Sequence, residues 1–257
     1  MLFKLKILTL TTILIVLLIA LLAYQNWIIL NPGGEFKHQV WYQEFNVYSE
    51  TPIGDELKVI LDEVSFRLSQ IPGYYQGKYK IFLCSNSETF GKFADIVGKP
   101  NRTQGFNLQP LNYIFINASL VEEIRTQNIN GYKYNILEGN IAHIIAHEIV
   151  HQLIADQLGY FKMRGTDSWK LEGYCEYAAS LEMKKMDSLY QFTDFYTDYF
   201  SGKYSELPSG KIFYIKSALI TEYYLDHKNK LFEDLIKTEE VFDQLLNEMK
   251  LFLKPRI

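Results

Sequence analysis

The sequence predicts an α+β protein of two lobes, carried behind one N-terminal membrane-spanning helix. Three observations lead there. Strand-like and helix-like segments mix up to about residue 117, and helical periodicity dominates beyond it. Residues 7–24 form an apolar run without a single charge. Of 257 residues 48% are hydrophobic and 15% aromatic, ample material for a packed core and too much for a disordered chain. The charge balance narrows the function classes: 26 Lys and Arg face 30 Asp and Glu, and without the first 24 residues 24 basic residues remain against the same 30 acids. A mildly acidic body lacking a basic stripe argues against a nucleic-acid partner. Two cysteines, Cys84 and Cys175, are too few for a disulfide framework.

Lys4 and Lys6 precede the apolar run, and the next charge is Glu35. Eighteen residues at ~1.5 Å each reach about 27 Å, enough for a thin hydrocarbon layer. Positive charge ahead of the run predicts a single-pass membrane protein with an extracytoplasmic body. Leu21-Leu22-Ala23 is a poor small-x-small cleavage site, which favours a retained signal-anchor over a cleaved signal peptide. Trp27 suits the membrane interface, and Asn31-Pro32-Gly33-Gly34 breaks the helix. The organisation expected is an anchor or signal segment at 1–30, a tether and first extended strand at 31–50, and one folded domain at 51–257.

Within that domain, Leu57, Ile60, Leu61, Val64 and Leu68 recur at helical spacing between Thr51-Pro52 and Pro72-Gly73. Residues 80–84 read as a short strand, and Ser87 is placed as the cap of a helix holding Phe90, Phe93 and Ala94. Residues 98–109 read as loop and 112–117 as a second strand. Helices are expected at 119–127, about 137–158, about 169–187, 211–227 and 230–252.

Three of five histidines, His143, His147 and His151, fall within nine positions. Residues 144–152 read Ile-Ile-Ala-His-Glu-Ile-Val-His-Gln. His147 and His151, at i and i+4, leave one helix face a turn apart and can share one metal ion. Glu148 lies about 100° further round, within reach of a metal-bound water without being a ligand. Neutral imidazoles suit borderline metals, and zinc with three protein ligands keeps the open position that catalysis needs. Polar groups inside so apolar a helix require a partner, and a cation is one. Glu172 follows His151 by 21 positions, room for a helix to end, a loop to turn and a second helix to present a carboxylate.

Residues 169–177, Trp-Lys-Leu-Glu-Gly-Tyr-Cys-Glu-Tyr, complete the pattern. Over roughly residues 80–250 the chain resembles the gluzincin metallopeptidases, the group that includes thermolysin and the aminopeptidase-N-like enzymes. They carry an apolar-apolar-Ala-His-Glu-x-x-His helix and a downstream Trp-x-x-Glu-Gly-x-Ala-Glu-Tyr-like segment. The resemblance implies a zincin-like domain in 51–257, zinc (Zn2+) on His147, His151 and Glu172, and Glu148 as general base. It also implies that Glu176, one turn after Glu172, orients a ligand histidine. Tyr214-Ile215-Lys216-Ser217 matches a Tyr-x-Lys-Gly pattern except that Ser217 stands for Gly, which makes Tyr214 an oxyanion donor by resemblance. Cys175 fills the small-residue slot, and His143 is read as a polar neighbour. The strand near 113–117 would be the family's edge strand, on which an extended peptide pairs.

The expected function is therefore a membrane-anchored zinc metallopeptidase acting on a peptide or protein substrate. No Gly-x-Met-Glu-Asn segment precedes His147, which leans towards an endopeptidase. The alternative is a catalytically silent zincin scaffold that serves as a binding or assembly module.

Overall fold

A computed structural model describes residues 12–20, 23, 27–127, 140–181, 192–203, 205, 207 and 209–253. Five strands form one mixed sheet: β1 (His38–Tyr42), β2 (Phe45–Ser49), β3 (Tyr79–Cys84), β4 (Gly105–Leu108) and β5 (Tyr113–Asn117), in the spatial order β1-β2-β3-β5-β4. β2, β3 and β5 run parallel, while β1 and β4 are antiparallel edges. The helices are α1 (Glu56–Ser69), α2 (Ser87–Ile96), α3 (Ala118–Gln127), α4 (Ile141–Leu158), α5 (Tyr160–Arg164), α6 (Ser168–Ala179), α7 (Phe192–Phe200), α8 (Ser209–Glu222), α9 (Phe232–Lys237) and α10 (Phe242–Leu253).

Both faces of the sheet are covered, so its inner strands are almost wholly apolar. Val47, Ile81, Ile114 and Ile116 point into a core shared with α1, α4 and the later helices. The opposite face is aromatic: Phe115 stacks on Phe82 at 4.8 Å, Phe93 at 4.7 Å and Phe106 at 4.9 Å between centroids. α2 closes that face.

The expected membrane span is corrected. Among the described residues no helix is long and apolar enough to cross a membrane. Within the expected span, residues 12–20 and 23 are helical. Residues 7–11, 21, 22 and 24 of the expected span lie outside the described ones. The single-pass localisation and extracytoplasmic body expected from that span are not supported by the described residues. The lead into β1 is part of the body, since Ile29 and Phe36 are buried in the aromatic core.

The segment read as one extended strand is a hairpin: Gln43, at φ 51°, turns β1 onto β2. Residues 105–108, expected as loop, form edge strand β4. Four residues with Gly and Asn carry little strand signal, and pairing with β5 and burial of Phe106 supply the rest. The edge is therefore β4, and β5 is interior. The cap of α2 is Asn86, whose side chain accepts from Thr89 N at 2.8 Å, one residue before the expected Ser87. Helix 230–252 is two helices, because Thr238 is extended and its carbonyl accepts from buried Lys170 Nζ at 2.8 Å. Residues 128–139 and 182–187, within or beside expected helices, lie outside the described ones. Both cysteines are buried and free.

α6 and α8 cross closely at Gly173. A Cβ there would stand 2.4 Å from the Ser217 carbonyl oxygen and 2.4 Å from Thr221 Oγ1. Backbone cannot yield as a side-chain tip can, so Gly173→Ala is expected to destabilise the chain by about 1–3 kcal/mol. A fall in the denaturation midpoint at unchanged m-value would show it, and an unchanged midpoint would refute the close crossing.

Candidate metal centre

α4 starts at Ile141 because the Asn140 side chain accepts from Ala142 N at 2.8 Å and His143 N at 3.1 Å. It stops at Gly159, whose φ of 82° only glycine adopts readily. Its first half is buried on every side, as an apolar helix inside a core must be. α6 packs against it. Glu172 faces His147 and His151, while Glu176, one turn later, faces His143 and His147, so the two helices run antiparallel.

The side chains form one chain of alternating partners. Glu172 Oε2 lies 3.3 Å from His151 Nε2 and 3.3 Å from His147 Nε2. His147 Nδ1 lies 2.8 Å from Glu176 Oε1, close but off the line of a straight N–H···O bond. Glu176 Oε2 lies 2.9 Å from His143 Nε2. Each carboxylate thus spans one turn of α4. Cys175 Sγ is within 4.8 Å of a ring nitrogen of both His147 and His151. Two groups of these side chains could hold a metal ion, His147 with His151 and Cys175, and His143 with His147 and Glu176.

Glu148 is buried beside them, 8% exposed, and its carbonyl accepts from Asn107 Nδ2 of β4 at 3.2 Å. That bond fixes the sheet edge against the histidine helix. Tyr214, on the first half of α8, stands edge-on to the His147 ring at 6.2 Å between centroids. All six expected site residues, His147, Glu148, His151, Glu172, Glu176 and Tyr214, therefore meet in one place.

Electrostatics follow from burial among alternating signs. Burial pushes the Glu148 carboxyl up, and the neighbouring His147 and His151 only partly offset it. Burial also acts on Glu172, but His151 and His147 outweigh it and hold that carboxyl well below its usual range. Glu176 behaves likewise: against burial, His143 and His147 bring it down to about 2. For His147 burial favours the neutral ring, yet Glu176 and Glu172 raise its pKa well above the ordinary value. Burial and the Glu172, Glu148 and Glu176 charges raise the Tyr214 phenol, keeping it a donor.

α1 braces the pair of helices. Buried Arg67, paired with Glu63, donates from a guanidinium nitrogen to Ala179 O at 2.8 Å, at the end of α6. Glu63 Oε1 accepts from Asn140 Nδ2 at 3.2 Å, at the start of α4. Sequence reasoning passed over Asn107 and the Glu63–Arg67 brace, and it read His143 only as a polar neighbour. Only His143 carried a signal: it precedes His147 by one turn as Glu176 follows Glu172 by one turn. No known family model matches the chain, and no curated protein matches it.

Glu172→Ala is expected to abolish or greatly weaken metal loading while the chain stays folded. Elemental analysis of metal-loaded parent and variant would check this, and equal content in both would remove Glu172 from the ligand set.

Proposed function

We propose that the chain is a zinc metallopeptidase of the gluzincin type, with His147, His151 and Glu172 as ligands. One observation carries the reading: two imidazole nitrogens meet one carboxylate oxygen at 3.3 Å each, with a buried carboxyl, Glu148, next to them. Ligands ~2.0–2.1 Å from a tetrahedral zinc are about 3.3 Å from one another, so the donor set fits the ion. When bound, zinc supplies Lewis acidity that polarises a carbonyl and lowers the pKa of a water towards ~7.

The residues of the chain supply the rest. Glu148, raised by burial, accepts a proton from the attacking water and returns it to the leaving amine. Tyr214, held protonated over His147, donates a hydrogen bond to the oxyanion that develops on the scissile carbonyl. Glu176 turns the His147 ring so that Nε2 faces the site. β4 is an edge strand held beside Glu148 through Asn107, and an extended peptide can pair with such an edge by main-chain bonds. An edge that reads backbone fits a peptide or protein substrate, and we read the activity as endopeptidase.

The silent binding-module reading has one observation in its favour. Cys175 lies within 4.8 Å of the His147 and His151 ring nitrogens, and counted with Glu172 it would make four protein donors, as in closed structural zinc sites. Glu172, however, already stands 3.3 Å from both imidazoles, at the spacing of tetrahedral ligands, and Glu148 and Tyr214 beside it have a role only where one position stays open. The open site is the better fit.

Glu148→Gln is expected to abolish chelator-sensitive cleavage of a peptide library while the protein still loads zinc. Retained cleavage would refute the assigned base. Tyr214→Phe should lower kcat about 10²–10³-fold with little change in KM; an unchanged kcat would take Tyr214 out of the chemistry.

A further inference from the structure

We propose that His143 is a positioning residue of the metal centre, the outer end of a chain of polar contacts running through Glu176 to His147. The inference rests on the metal-centre reading above and extends it by one turn of α4. His143 is 2% exposed, and its Nε2 stands 2.9 Å from Glu176 Oε2. Glu176 is an acceptor at both oxygens, so the ring nitrogen facing it carries the hydrogen. The other nitrogen, Nδ1, is buried and has no hydrogen-bond partner among the described residues. A residue present only for packing would be better apolar here, since that nitrogen gains nothing from burial. What the imidazole adds to the fold is the single donor aimed at Glu176.

That donor decides where the carboxylate points. Glu176 divides its oxygens between two histidines, Oε2 to His143 and Oε1 to His147. Its contact with His147 is close but bent, so by itself it does not define the carboxylate plane. With the His143 bond in place, the plane is set from one side and the His147 ring from the other. Without it, one buried oxygen loses its donor and the carboxylate is free to rotate about its stem. The His147 ring then loses the partner that turns Nε2 towards Glu172. Groups that orient a ligand histidine typically contribute ~10–100-fold to metal affinity. His143 acts through such a group, not on the ion. A second ion between His143, Glu176 and His147 is the weaker use of the same atoms, because it would require both ring nitrogens of His147 as ligands.

The test is zinc affinity of the full chain, measured by competition with a chromophoric chelator, for the parent and three variants. Gln can place its amide N–H where His143 Nε2 stands, whereas Asn falls short of Glu176 and Phe keeps only a flat ring. The expected result is a ~10–100-fold loss of zinc affinity in His143→Phe and His143→Asn, with His143→Gln within a few-fold of the parent. Equal affinities in Gln and Asn variants, or parent affinity in Phe, would overturn the inference. The Gln–Asn comparison stands alone if His143→Phe does not fold, because both are polar and neither is larger than histidine. A purely structural role would lower the melting temperature of the metal-free protein and leave the Gln and Asn variants alike in affinity. A folded parent that binds no zinc would overturn the metal-centre reading itself, and this inference with it.

Discussion

Two antiparallel helices are locked by a chain of five side chains, His151, Glu172, His147, Glu176 and His143, and the candidate site depends on that lock. The spacing is what makes it possible. Residues four apart on α4 present imidazoles one turn apart, and residues four apart on α6 present carboxylates at the same interval. Offset by half a turn, each carboxylate sits between two rings. Sliding one helix by a turn would leave an end group unpaired in the core, where an unmatched charge is costly. Register, rotation and separation of the helices are thus specified together.

The lock and the adjoining Glu148 together carry an excess of negative charge. Glu148, Glu172 and Glu176 are carboxylates, and the three histidines are neutral unless protonated. In the protein without a cation, a proton on His147 relieves part of the imbalance, which is why its pKa rises despite burial. A divalent ion would relieve it more fully and would leave both ring nitrogens in the roles the geometry prepares. The surroundings resist rearrangement while this exchange occurs. Arg67 and Glu63 hold one end of each helix, Asn107 pins the sheet edge to the Glu148 carbonyl, and Gly173 lets α8 approach.

Much of this was legible in sequence because it is local. Spacings of four within 143–151 and 172–176 place side chains on helix faces with no tertiary information, and the helix registers followed. What was not legible depends on partners distant in the chain. β4 has too few residues for periodicity, and it is a strand only because β5 pairs with it and Phe115 covers Phe106. The Glu63–Arg67 brace looks like any i,i+4 surface pair until Ala179 and Asn140 arrive beside it. The apolar run near the N-terminus is the opposite case: composition and length suggested a span, and among the described residues no helix is long and apolar enough to make one.

The position of Tyr214 depends on a close helix crossing three residues further along α8. Ser217 has a side chain at that crossing, yet α6 and α8 still approach closely because Gly173, on the other helix, has none. Only one partner of a crossing needs to be small where the backbones meet. Ser217 Oγ is left buried without a partner among the described residues, a modest penalty. One turn earlier on α8, the crossing angle set at Gly173 brings the Tyr214 ring over His147. The tyrosine is therefore positioned by a contact it does not make, and its nearness to His147 is a property of helix packing.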